Sequence, residues 1–196
     1  MFTSPNFTLP MQLRWRLFYA VLLSSLLCLV IYHNSLAASK EQAKEYQVKA
    51  VYLYNFSHFI HWPDTLMLSK NMFNICILGD NPFHNTLEYV VGKEKFKEKP
   101  IKVDYFSNVV DVDECQILFI SQSEQGQLKT IFEHLQYKPI LTVSDMSDFV
   151  ELGGMIKFYL NRKRQVRLAI NPEILREARL QADANLLRIS EIVSRK

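Results

Sequence analysis

Short unbroken apolar runs alternate with amphipathic stretches along most of this chain. Phe73–Leu78 ends at Gly79-Asp80, Glu114–Ser121 carries Ile117-Leu-Phe-Ile120 at its centre, and Pro139–Val143 ends at Ser144-Asp145. Runs of this length, rich in β-branched and aromatic residues, read as strands buried on both faces, the pattern of a parallel sheet. Ile101–Phe106 alternates and reads as a further strand. Tyr46–Trp62, stopped by Pro63, has a wide apolar stripe and predicts a helix packed on the sheet. Asn81-Pro82 predicts the start of a helix running to about Val91, and Ser123 the cap of another running to His134. Asp64–Asn71 and Lys93–Lys99 read as connections. Met155–Leu160 and Val166–Ile170 then form a hairpin around Asn161-Arg-Lys-Arg164. Asn171-Pro172-Glu173 opens a helical C-terminus over Ile174–Leu180 and Asn185–Val193. Strands alternating with helices imply an α/β fold. The expectation is one three-layer domain: a mostly parallel sheet, a C-terminal β-hairpin, and helices on both faces.

The N-terminus changes this picture. Arg14 and Arg16 precede the apolar run Leu17–Tyr32, and the small residues of Ser35-Leu-Ala37-Ala38 follow. That order is the pattern of a secretory signal peptide. The run falls short of the ~20 residues of a membrane span, and Ser24 and Ser25 interrupt it, so a cleaved leader is preferred over a retained anchor. Cleavage is expected after Ala37, with Ala38 the alternative. Residues 1–37 are thus read as signal peptide and 38–196 as the domain, placed in the periplasm. Cys28 follows two leucines, where a lipidated cysteine normally follows a small residue.

Hydrophobic residues make up 48% and charged residues 22% of the 196, values of a globular chain with room for one ordinary core. The formal charge of +3 includes Arg14 and Arg16; without them 21 basic residues face 20 acidic ones. So neutral a body lacks the concentrated basic surface that nucleic acids require. Export leaves Cys76 and Cys115 as the mature cysteines, one on each of two strand candidates. In an oxidising compartment two such thiols normally pair. Two independent buried cysteines are the other reading.

Candidate chemistry is thin. His58 and His61 lie three apart on the first helix, without a third ligand at metal spacing. Asp111, Asp113 and Glu114 lack the glycine and distal glutamate of a calcium loop and read as an exposed acidic turn. Gly79-Asp80 stands where nucleotide folds bind phosphate, but the Gly-rich fingerprints are missing. Asp80 and Asp145 both end strands and could meet as an acid/base pair, although helix capping is the commoner use of such acids. No metal, cofactor or catalytic residue is expected.

Asn55-Phe-x-x-Phe59-x-x-Trp62-Pro63, Ile77-Leu-Gly79-Asp80, Gly153-Gly154-Met-Ile-x-Phe158, Arg167-Leu-Ala-Ile-Asn171 and Leu186-Leu-Arg188-Ile together resemble the YfiR family, from about Tyr46 to Ile192. The resemblance implies a periplasmic, non-enzymatic repressor that binds the periplasmic part of an inner-membrane diguanylate cyclase. Repression would lower cyclic di-GMP and biofilm formation. An outer-membrane peptidoglycan-binding lipoprotein sequesters the repressor in the best-known arrangement, and a homodimer is expected. Cys76 and Cys115 match the family's structural disulfide. A second pair found in some members near the Gly-Gly segment is missing, since residues 140–160 contain no cysteine. Phe149, Glu151, Gly153, Gly154, Phe158, Arg164 and Arg167 combine apolar, flexible and basic groups and are the expected partner-binding residues. The alternative is a periplasmic sensor with a small-ligand pocket at the strand ends, feeding a sensor kinase or cyclase.

Overall fold

The computed structural model describes residues 40–194; the expected leader lies outside them. Residues 40–59 form helix α1. There follow β1 (Ile60–His61), α2 (Asp64–Ser69), β2 (Phe73–Leu78), α3 (Thr86–Val91), β3 (Lys95–Phe96) and β4 (Lys99–Phe106). The chain continues through β5 (Ile117–Ile120), α4 (Leu128–Leu135), β6 (Leu141–Ser144), β7 (Ile156–Leu160) and β8 (Val166–Ile170). It closes with α5 (Pro172–Glu177), β9 (Gln181–Ala182), α6 (Ala184–Ile189) and β10 (Glu191–Ile192).

Eight strands form one sheet in the order β10-β8-β7-β6-β5-β2-β4-β3. β4, β2, β5, β6 and β7 are mutually parallel, and the β7–β8 hairpin and the short β3 supply the antiparallel joints. This is the α/β sheet the apolar runs imply. Alternation along β2 splits the interior into two cores. Phe73, Ile75 and Ile77 face α1, α3 and α5, packing with Leu53, Phe56, Leu87, Leu175 and Phe158. Cys76 and Leu78 face α4, packing with Leu118, Ile131, Leu135 and Phe149. Helices therefore cover both faces.

Cys76 and Cys115 are joined in a disulfide, with Cα atoms 5.9 Å apart. Cys115 precedes β5 instead of lying on it, because the strand's apolar register starts at Ile117. The bond ties the middle of β2 to the approach of β5.

Several boundaries differ from the pattern-based expectation. α1 stops at residue 59, because Ile60 and His61 pair with Ala182 and Gln181 of β9 and Phe59 C=O accepts the Asp183 N–H. Asp64–Ser69 is helical because Met67 is drawn into the core. Asn81-Pro82 begins a turn, fixed by Asn81 Oδ1 accepting from Phe83 N–H, and α3 starts only at Thr86. Ser123 caps nothing; Gln122–Gln127 is a 3-10 turn ahead of α4. Asn171 does cap α5, accepting from the N–H groups of Glu173 and Ile174.

Candidate partner-binding surface

The carboxyl ends of parallel strands are where doubly wound folds place ligands, at the point where strand order reverses. Here that point lies between β2 and β5, and it is filled. Gly79 turns at φ 86°, and Ser123 Oγ accepts the Asp80 N–H at 3.0 Å. A Cβ on Gly79 would stand 2.3 Å from Ser123 Oγ, so the hydroxyl packs directly on the glycine.

Further along the same edge Asp145 ends β6 and is engaged. Lys49 Nζ of α1 donates to Asp145 Oδ2 at 2.6 Å, and the Tyr46 hydroxyl donates to the same oxygen at 2.8 Å. Lys49 also pairs with Glu45 at 2.5 Å, although it is only 3% exposed. Burial and the Asp145 carboxylate push the Tyr46 phenol well above its usual range. Asp145 thus anchors α1 to the sheet, and Asp80 is exposed and spends its amide on Ser123. Neither arrangement resembles a pair of carboxyls sharing a cleft. Asp113, in the acidic turn, is clasped by Lys138 at 2.7 Å and His134 at 3.2 Å. Among the described residues no cluster of three His, Cys, Asp or Glu is placed to hold a metal ion.

The seven expected partner-binding residues divide. Phe149 and Phe158 are core, at 0% and 1% exposure, and cannot touch a partner. They also lie on opposite faces of the sheet: Phe149 packs on Phe132 of α4, and Phe158 stacks on Phe56 and packs tilted against Tyr52 of α1. The two glycines serve the same packing. Gly153 sits at φ 118°, which favours glycine, and a Cβ on Gly154 would stand 2.2 Å from the Phe149 ring. The close approach that the Gly-Gly pair permits is therefore made by the protein's own aromatic ring.

Glu151, Arg164 and Arg167 remain at the surface, but not together. Glu151 receives Lys157 Nζ at 3.1 Å, at the start of β7. Arg164 sits at φ 56° in the hairpin tip, where Asn161 Oδ1 accepts the N–H groups of Lys163 and Gln165. Arg167 donates to Gln165 Oε1 at 2.8 Å. Tip and glycine turn stand at opposite ends of β7, ~17 Å apart at about 3.3 Å per residue.

What the glycine turn does border is a groove of about 860 Å³. Its cause is a register offset. β7 joins β6 only at Val143 and Ser144, so among the described residues no strand lies beyond Leu141 and Thr142. Thr142 Oγ1 accepts the Met155 N–H at 3.1 Å and floors the notch. Phe132, Tyr137, Leu152 and Ile174 form its sides. Tyr137 and Leu152 are 61% and 60% exposed, large apolar side chains left in water beside a concavity. Pattern reading missed both, since neither belongs to a periodic segment. The one available signal was an aromatic residue in a polar turn, Gln136-Tyr-Lys-Pro139.

The chain is thus a three-layer α/β domain whose strand-end crevice is filled by its own Ser123 and which carries a groove lined in part by exposed Tyr137 and Leu152. The chain belongs to the YfiR/HmsC-like family, whose model matches residues 46–191. The family is one of periplasmic, non-catalytic regulators of diguanylate cyclases. No curated protein matches the chain. Among the described residues no helix is long and apolar enough to cross a membrane.

Proposed function

We propose that this protein is exported, loses residues 1–37, and represses an inner-membrane diguanylate cyclase by binding its periplasmic portion. The family match over residues 46–191 carries this reading. Repression follows if the protein binds one state of the cyclase better than the other, lowering cyclic di-GMP by population shift. The groove beside Gly153, with Tyr137, Leu152 and Glu151, is the surface we assign to the cyclase. Arg164 and Arg167 form a second, basic contact at the hairpin tip. An outer-membrane lipoprotein competing for either surface would relieve repression, and the repressor acts as a homodimer.

The test adds purified protein to membranes bearing the cyclase and measures cyclic di-GMP synthesis. The expected result is a dose-dependent fall, weakened by Leu152→Arg. Unchanged synthesis at saturating protein would refute the reading. The second reading, a small-ligand sensor, is favoured by one observation: the groove volume lies within the ~300–1,000 Å³ of ligand sites. It predicts a rise in Tm with an amino acid or nucleotide in a ligand screen.

A further inference from the structure

β4 borders the sheet, and its outer side is only partly covered. β3 pairs with Lys99 and Pro100 alone, and among the described residues no strand lies along 101–106 on that side. The Phe106 C=O accepts the Gly79 N–H at 2.9 Å, so Phe106 turns its backbone toward β2. By alternation Lys102 and Asp104 do the same, while Ile101, Val103 and Tyr105 direct their N–H and C=O groups outward. An open edge of this kind is a template for another strand. Proteins usually block it with charge, and Lys102 alone would do so.

The side chains give this edge a self-complementary order. Lys102 and Asp104 flank Val103 on one face and pair with each other at 2.7 Å. Ile101 and Tyr105 flank it on the other. An antiparallel copy of the same strand, related by a two-fold axis at Val103, sets Lys102 opposite the second copy's Asp104, twice. It also sets Ile101 opposite Tyr105, twice, and Val103 opposite Val103. Both kinds of cross-strand pair are favourable. Val103 is moreover an outward residue, so the axis falls on a hydrogen-bonded pair. Axes at Ile101 or Tyr105 would also satisfy the backbone, but they set Lys102 against Pro100 or against Asn108 and lose the charge match. Tyr105 is 45% exposed and so available for contact.

We infer that two copies of this chain associate edge to edge through β4, antiparallel about Val103, joining their sheets into one. This gives the homodimer proposed above a defined interface and rests on that part of the reading. The test is sedimentation of the exported chain over a dilution series. Wild type is expected to run as a dimer at high concentration. Asp104→Lys, which faces lysine with lysine, is expected to be a single copy. Lys102→Asp/Asp104→Lys, which restores opposite charges in swapped order, is expected to dimerise again. A wild type that is a single copy throughout would overturn the inference, and so would a dimeric Asp104→Lys. Amide exchange on undiluted and diluted wild type reads the same interface without substitution. Ile101, Val103 and Tyr105 should be protected in the dimer and Lys102 and Asp104 unchanged; equal exchange of the first three in both samples would place the contact elsewhere. Sedimentation reads assembly alone, so failure here leaves cyclase repression standing, and an unaffected cyclase leaves the dimer standing.

Discussion

Reducing the Cys76–Cys115 bond should cost this domain much of its stability without moving its core. The bond closes a separation of 39 residues. Loop closure of that length removes ~13 cal/mol/K from the unfolded chain, about 3.9 kcal/mol at 25 °C. Both cysteines are buried, at 0% and 2% exposure, among Leu78, Leu118 and Ile120. The two thiols formed on reduction fit the same space, so most of the loss comes through the unfolded state. With a urea slope of about 2 kcal/mol/M, the unfolding midpoint should fall by ~2 M. The assay is urea unfolding followed by circular dichroism, oxidised against fully reduced, with the thiols counted by alkylation in denaturant. A midpoint displaced by less than about 0.5 M, ~1 kcal/mol at that slope, would refute the reasoning. It would mean that the unfolded chain already holds residues 76 and 115 close together.

Gly154→Ala should destabilise by about 3 kcal/mol, because its Cβ would overlap the wholly buried Phe149 ring; Tm falls by ~6–12 °C in a thermal melt, and an unchanged Tm would exclude that packing. Lys49→Met strands the buried Asp145 carboxylate and should cost about 3–5 kcal/mol, while Lys49→Met/Asp145→Leu should recover most of it; the urea midpoints of both variants check this. Asp113 titrates below its ordinary value, chiefly through its hydrogen bond from Lys138 and then that from His134. A depressed folded-state carboxyl stabilises above the unfolded pKa of ~3.9 and loses that contribution as pH falls through the folded value. Asp113→Asn should therefore lower stability near neutral pH by under ~1 kcal/mol for so exposed a pair, and leave it unchanged in strong acid. Unfolding at two pH values tests the sign.

The parallel sheet was readable because β2, β5 and β6 are buried on both faces and so carry unbroken apolar runs. The hairpin was readable from two short apolar runs around a polar tip, and α5 from Asn171-Pro172. The failures share a cause: each depends on residues distant in sequence. α1 ends where β9, more than a hundred residues on, takes Ile60 and His61 as partners. Ser123 looks like a cap, yet its hydroxyl is claimed by the Asp80 amide. The site suffered in the same way. Phe149 and Phe158 read as interface aromatics because no local pattern shows which strands and helices cover them. The groove arises from the offset of β7 against β6, a property of register that composition cannot express. The disulfide was the exception. With Cys28 read as part of a leader, Cys76 and Cys115 were left with a single intramolecular pairing, and both belong to neighbouring parts of the sheet.

The order of strands decides whether dimerisation and partner binding compete. The groove opens beside β6 and β7, whereas β4 lies beyond β5 and β2. Three inter-strand steps separate β6 from β4, ~14 Å at about 4.8 Å each. A second copy joined through β4 extends the sheet away from the groove, and the two-fold axis puts the two grooves at the far sides of the joined sheet. Each protomer should therefore bind one cyclase chain in either state, and Asp104→Lys should leave the affinity of a monovalent cyclase fragment unchanged. Against a dimeric cyclase the same substitution should weaken binding, because two linked contacts become one and effective concentration is lost. Calorimetry with both forms separates the cases. A monovalent fragment that dissociates the dimer, or that binds one per two chains, would show that cyclase and second copy share a surface.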